Sequence, residues 1–308
     1  MMNRKGNWLE LILSTTNELT IEEWLKKTWP VPKKLLHKWR MEKSVRLNGE
    51  TVPWQTKVSK GDRLEVQVFA DEEHSVTPFY ADLDIRFEDD HLLVVNKPAG
   101  MDTHPSDEDD DQTLTNAVAF HFLTEGLSLK PRHVHRLDRD TSGALLFAKH
   151  HLASAILDGM LEKRQIKRTY IAVAEGIIKT NKGIIKEPIG KDRHHSTRRR
   201  VSENGVKAIT HYKVLKRDHE RQQTLVELSL ETGRTHQIRV HLSHLGHPLA
   251  GDVLYGGKQN ASTTQQALHA IKLAFPHPFT NESISVLAPT SDEVFLPYQS
   301  IIEKQFFE

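Results

Sequence analysis

The chain has 308 residues, 42 Lys or Arg against 41 Asp or Glu, a formal net charge of +1, 37% hydrophobic residues and no cysteine. That is enough chain for one large core plus a small satellite unit, and the lack of cysteine excludes disulfides, thiolate zinc sites, iron–sulfur clusters and cysteine nucleophiles. The balanced charge gives no global sign of a polyanionic partner, so any contact with nucleic acid must come from local patches.

No apolar run approaches the roughly 20 residues that span a bilayer. The opening segment 1–16 carries early positive charge, but its apolar stretch is short and broken by Glu10. It does not read as a secretion signal, which predicts a cytoplasmic protein. The first seventy residues hold 13 Lys or Arg against 8 Asp or Glu, a local excess of five. Thr20 followed three residues later by Glu23 predicts a capped helix over 20–29. A second helix is predicted over 32–42, with Leu35, Leu36 and Trp39 on one side and Lys33, Lys34, Lys38 and Arg40 on the other. A strand then leads into Asn48-Gly49, the signal of a tight hairpin, with a returning strand ending at Val52. Lys60-Gly61-Asp62 marks another turn before a strand over 63–68. Residues 71–78 are polar, end on Pro78 and read as a linker.

Beyond the linker, strands are predicted over 85–87 and 92–96, a helix over 114–123, a strand over 144–148 and a helix over 152–163. Strands over 168–174 and 224–230 follow, then a helix over 236–245 with Ile238, Leu242 and Leu245 on its buried stripe. Regular βαβ alternation is missing, so the prediction is an α+β fold around a largely antiparallel sheet with flanking helices. Three parts result: a basic N-terminal unit over 1–70, a linker over 71–78 and a large unit over 79–308.

Four segments carry chemistry. His135-Arg136-Leu137-Asp138-Arg139-Asp140 packs two acids and two arginines into five positions, followed by a Thr-Ser-Gly turn. Nearby cations favour the carboxylate form, which can serve as nucleophile or base. By composition alone the same residues suit a structural salt-bridge loop. About a hundred residues later, Gly233-Arg234-Thr235-His236-Gln237-Ile238-Arg239 joins a strand to a helix, and a guanidinium at such a junction can hold a carboxylate bidentately. Lys167-Arg168-Thr169-Tyr170 opens a strand with an aromatic ring bearing a hydroxyl. Asn96-Lys97-Pro98 closes a strand in a rigid turn.

Other patterns are weaker. Gly251 to Lys258 lacks the glycine and Ser/Thr spacing of a phosphate loop. The acidic run over 107–111 lacks the glycine and distal glutamate of a calcium loop. His236, His241, His244 and His247 spread around a helix, with no HExxH pairing, so no metal is expected. The basic stretch from Lys191 to Arg200 reads as a phosphate-contacting flap.

The strings VNKPAGMDTHP (95–105), HVHRLDRDTSGALLFAK (133–149), KRTYIAVAEG (167–176), GRTHQIRVHLSHLGHPLAGDVLYG (233–256) and LHAIKLAFPHP (268–278) together resemble the RluA-type family of RNA pseudouridine synthases. The resemblance implies a mixed, mostly antiparallel sheet with an RNA-binding cleft and a cofactor-free isomerisation of uridine. It implies that Asp138 is the catalytic aspartate, that Tyr170 packs on the target base and assists proton removal, and that Arg234 pairs with the catalytic carboxylate. Arg136 matches an arginine that fills the place of the flipped base. Asp140 and Arg239 belong to the same motifs as supporting groups, and Lys97, Arg168 and Arg239 are expected among the RNA contacts. The two helices, hairpin and Lys-Gly-Asp turn of the N-terminal unit resemble the S4-type RNA-binding domain, although its usual Arg-Leu-Asp opening is absent.

The expected substrate is structured RNA, large-subunit ribosomal RNA in particular, with no metal, nucleotide cofactor or membrane, and a monomeric enzyme. Two other readings stay open: the same chemistry on transfer RNA, and a non-catalytic RNA-binding or assembly factor on the same fold.

Overall fold

A computed structural model describes residues 2–14, 18–72, 76–107, 110–260 and 263–308. The opening segment, which drew only the comparison with a secretion signal, forms two strands, β1 (Met2–Lys5) and β2 (Trp8–Ile12). Their alternation is short and half-polar, so they become strands by pairing. They build an antiparallel sheet with β3 (Val45–Leu47) and β4 (Arg63–Gln67), in the order β1-β2-β4-β3. Helices α1 (Ile21–Thr28) and α2 (Lys33–Met41) cover it.

The cap expected at α1 is present. Thr20 Oγ1 accepts from the Glu23 N–H and the Glu23 carboxylate accepts from the Thr20 N–H, satisfying two donors that a helix start leaves bare. The Asn48-Gly49 turn also forms, both residues with positive φ. The returning strand over 50–52 does not. Only a single bridge joins Leu47 to Glu50, and the partner of β3 is β4. Leu64 and Val66 bury completely on β4, whereas Glu50, Thr51 and Pro53 are exposed, so burial favours the later segment.

The large unit is a ten-stranded mixed sheet. In chain order its elements are β5 (Asp84–Glu88), β6 (Leu92–Lys97), α3 (Leu114–Thr124), β7 (Arg132–His133), β8 (Ser142–Ala148), α4 (His151–Glu162), β9 (Lys167–Glu175) and β10 (Lys182–Ile185). A two-stranded hairpin follows, β11 (Ile189–Lys191) and β12 (Arg199–Val201). Then come β13 (Thr210–Asp218), β14 (Gln223–Leu230), α5 (Gln237–His244), β15 (Leu268–Pro276), β16 (Ser283–Leu287) and α6 (Gln299–Phe306). The main path is β10-β13-β14-β9-β15-β8-β6-β5, with β16 on β15 and β7 on β8.

All pairs are antiparallel except β8 with β15. That parallel contact explains the glycine of the Thr-Ser-Gly turn. Gly143 lies against the Ala270 backbone with φ +114, and a Cβ there would run into the neighbouring strand. The chain leaving Asp138 is thereby fed straight into the centre of the sheet. Every residue of β8 is buried, which fits a central strand covered on both faces.

The two units share a core. Trp24, Trp29 and Phe69 belong to the same buried cluster as Leu92, Leu146 and Leu152. Trp29 meets Phe279 edge-on at 5.6 Å and Phe69 meets His150 at 5.0 Å. Glu72, in the segment read as a linker, takes an ion pair from Arg132 at 2.7 Å; residues 73–75 of that segment lie outside the described residues.

Candidate active site

Asp138 sits on the loop between β7 and β8, and the surrounding side chains fix that loop before any charge is considered. Thr103 Oγ1 donates to the Leu137 carbonyl at 2.9 Å and accepts from the Leu137 N–H. The Asp138 carbonyl accepts from the Thr141 N–H, closing the turn. Lys97, fully buried, donates to the carbonyls of Pro98, Met101 and Arg139 at 2.9, 2.7 and 2.8 Å. Burial lowers its ammonium pKa to about 8. Lys97 is thus an internal strut and not the RNA contact expected from its motif: a side chain with no exposure and three carbonyl acceptors has nothing left for a phosphate.

The carboxylate of Asp138 remains about a quarter exposed, with its other face on a cation. That cation is Arg239, whose Nη1 lies 3.2 Å from Asp138 Oδ2. Arg239 is itself clamped by Asp252, through Nε–Oδ2 at 2.7 Å and Nη2–Oδ1 at 2.9 Å. Asp252 is buried, and the ring of Tyr255 lies 5.0 Å from the guanidinium. Burial opposes the charge on Arg239, but its two carboxylates raise its pKa further above the ordinary arginine value.

Arg234 does not make the pairing expected of it. Its side chain is exposed and its Nε donates to the Lys207 carbonyl at 3.2 Å. The difference is one of placement. Arg234 precedes the helix, whereas Arg239 lies on α5, three residues after the cap residue His236, which puts the two on one helical face. His236 also reaches the site: Nε2 lies 3.9 Å from Asp138 Oδ2 and Nδ1 lies 2.9 Å from the Tyr255 hydroxyl. Its φ of +57 places it in the left-handed region.

His236, Asp252 and Tyr255 were not foreseen as site residues. The available signal was the i, i+3 spacing of His236 and Arg239, together with one acid in the Gly-Asp-Val-Leu-Tyr-Gly string. That string is no phosphate loop in the structure, since its aspartate serves Arg239 and Gly257 packs against the backbone of Leu249 and Asp252.

Tyr170 is buried on β9, beside Leu137 in the same apolar cluster. Burial raises its hydroxyl pKa above the ordinary tyrosine value, so the phenol stays neutral near pH 7. Arg136 is exposed two residues before Asp138. The basic stretch 191–200 forms the β11–β12 hairpin, tied to the site where the Arg199 N–H donates to the Tyr255 hydroxyl at 2.9 Å. Of the acidic run 107–111, residues 108 and 109 lie outside the described residues. Among the described residues no cluster of His, Asp or Glu suits a metal ion, and no helix is long and apolar enough to cross a membrane.

Comparison with known proteins identifies the family of the chain. Residues 91–244 match the family of RNA pseudouridylate synthases, and residues 9–64 match the RluD ribosomal pseudouridine synthase N-terminal domain. The chain is 50% identical over 292 residues to the uncharacterized RNA pseudouridine synthase YhcT of Bacillus subtilis, covering 94% of this chain and 95% of that one. It is 39% identical to the ribosomal large subunit pseudouridine synthase D of Vibrio parahaemolyticus, covering 84% and 83%. Among solved structures, human RNA pseudouridylate synthase domain containing 1 superposes with a TM-score of 0.58 at 29% identity, covering 70% of this chain and 86% of that one.

Proposed function

The chain belongs to the RNA pseudouridylate synthase family, and from that premise we propose that it isomerises uridines of large-subunit ribosomal RNA with Asp138 as the acting carboxylate. The observation that carries the assignment is the disposition of Asp138: one face open, the other on Arg239, and Arg239 locked by buried Asp252. A carboxylate held this way keeps its orientation without using its free oxygen.

The reaction breaks the N1–C1′ bond of uridine, turns the uracil and forms a C5–C1′ bond, with loss of the C5 proton. Substrate and product are isomers, so the electrons balance within the nucleotide. Asp138 acts on the ribose or the uracil ring at the open face. The target base must leave its stack, at a cost of a few kcal/mol. Arg136, exposed beside Asp138, fills the vacated place. Tyr170 supplies a flat apolar surface, and stacking of this kind is worth roughly 1–3 kcal/mol per base. Burial keeps its phenol neutral near pH 7, and packing on the flipped base is the role that its place on β9 supports.

The choice of ribosomal RNA rests on the N-terminal unit, whose residues 9–64 resemble the RluD N-terminal domain and whose α2 presents Lys33, Lys34 and Lys38 outward. Residues 1–70 serve as the RNA-docking unit and the β11–β12 hairpin as a phosphate-contacting flap, in a cytoplasmic enzyme. Pseudouridine mapping of ribosomal and transfer RNA tests the reading, in cells lacking the gene and complemented with wild type or Asp138→Ala. Loss of one or a few large-subunit positions, restored by wild type alone, is the expected result. Loss confined to transfer RNA contradicts the substrate, and restoration by Asp138→Ala contradicts the residue.

A further inference from the structure

Four cations are buried among the described residues: Lys97, Lys149, Arg168 and Arg239. Three are answered by the protein. Lys97 has three carbonyls, Lys149 has Glu88 at 2.6 Å and Arg239 has two carboxylates. Arg168 is 9% exposed, yet its guanidinium has no hydrogen-bond or ion-pair partner among the described residues, and its Nε is enclosed. Enclosing Nε without a partner is costly to the fold, while Nη1 and Nη2 are not sealed from solvent and are left open to a partner from outside.

Its surroundings say what would answer it. Arg168 and Tyr170 stand two apart on β9 and share a face of the sheet. The guanidinium lies directly under Gly233, an exposed residue of the loop that leads to His236 and Arg239. A Cβ at Gly233 would sit 2.9 Å from Arg168 Nη1, so any side chain there would press on the guanidinium. The neighbouring His135 adds a second unanswered donor. Its Nε2 accepts from the Leu146 N–H, so the neutral ring carries its proton on Nδ1, which is buried without a partner.

We propose that Arg168 is the receptor for a backbone phosphate of the RNA, reached over Gly233 and used to seat the flipped nucleotide against Tyr170 and Asp138. A phosphate offers the charge and the paired oxygens that a guanidinium matches, which a uracil carbonyl does not. The inference rests on the reading of Asp138 as the reacting group. It adds a contact that orients the substrate's backbone rather than its base.

The test compares wild type with Arg168→Met, Arg168→Lys and Gly233→Ala. It reads thermal unfolding with and without inorganic phosphate, and kcat and KM on a large-subunit ribosomal RNA transcript. Inorganic phosphate is expected to raise the Tm of wild type and not that of Arg168→Met. The methionine variant, relieved of an unpaired charge, should melt no lower than wild type in phosphate-free buffer while kcat/KM falls at least about tenfold. Arg168→Lys should recover part of that loss. Gly233→Ala keeps the charge, and its backbone does not need glycine there, so a raised KM with kcat largely kept is expected; this variant decides the matter if Arg168→Met fails to fold.

A phosphate-induced shift equal in wild type and Arg168→Met, or an unchanged kcat/KM in both Arg168→Met and Gly233→Ala, overturns the assignment. Wild type that makes no pseudouridine from the transcript would instead sink the reading of the site, and the phosphate shift would still decide Arg168.

Discussion

Two buried polar regions of this molecule are built on opposite plans. Where the small sheet meets the large one, the polar groups mostly answer one another. His150 Nδ1 accepts from the Ala153 N–H, so its Nε2 carries the proton and donates to His91 Nδ1 at 2.9 Å. His277 Nδ1 accepts from the Phe279 and Thr280 N–H groups and its Nε2 donates to Asp89 at 3.1 Å. Phe69, Phe279 and Trp29 pack around these rings. In the cleft the groups are only partly answered: Asp138 keeps an open face, and among the described residues Arg168 has no hydrogen-bond or ion-pair partner, its Nε enclosed. A satisfied polar cluster holds a structure together, whereas an unsatisfied one stores affinity for something absent.

Substitutions sharpen the contrast. The largest effect is expected in the clamp behind Asp138. Asp252→Ala leaves Arg239 buried with one carboxylate instead of two. Breaking a buried pair costs about 3–5 kcal/mol, and the activity should fall with it because Arg239 loses its orientation. Arg234→Ala should change stability by no more than about 0.5 kcal/mol. Denaturant unfolding of the two variants checks the difference, and equal losses would show that the Arg239–Asp252 clamp contributes no more than exposed Arg234.

Acid is the next probe, and it acts on the neutral imidazoles. Burial lowers the pKa of His91 to about 4 and of His135 to about 3, and holds His150 well below the ordinary value of 6.5. The folded values lie below the unfolded ones, so the unfolded chain binds protons first. Stability is therefore fully present above about pH 6.5 and is lost as pH falls towards the folded values. For His91 alone the loss between pH 6.5 and pH 4 is about 3 kcal/mol. Urea unfolding across that window should show the decline, steepest near its lower end where Asp89 and Glu72 also begin to lose their partners' benefit. A flat profile would mean that the junction is looser than its geometry.

The smallest effect is local. Thr20→Ala removes one half of the capping box on α1 and should lower stability by about 1 kcal/mol, read as a shift in denaturant midpoint; no shift would mean that tertiary packing alone sets the start of α1.

How much of this was legible in the sequence follows the same division. The capping box and the Asn48-Gly49 turn were readable because each is set by residues close together in the chain, strand 144–148 by its unbroken apolar run, and the loop bearing Asp138 by its motif. What escaped needed long-range partners. β1 and β2 pair with each other and join the sheet through β2 on β4, and the segment after Gly49 lost its place in the sheet to residues 63–67 because Leu64 and Val66 bury better. The exchange of Arg234 for Arg239 has the same origin. Both arginines suit a carboxylate by type, and only the rotation of α5 and the arrival of Asp252 from the next loop decide which one reaches Asp138. Lys97 shows the reverse error, a cation assigned to RNA by its motif and consumed by three carbonyls.

The central claim, that Asp138 performs the isomerisation from the support of Arg239 and Asp252, is tested most directly by single-turnover pseudouridine formation with purified wild type and Asp138→Asn on a large-subunit ribosomal RNA transcript, with the Tm of each protein measured alongside. The amide keeps the size of the side chain but not its charge or nucleophilicity. A loss of at least about a thousandfold with little change in Tm is the predicted result. An Asp138→Asn protein that melts like wild type and still converts uridine within tenfold of its rate would contradict it.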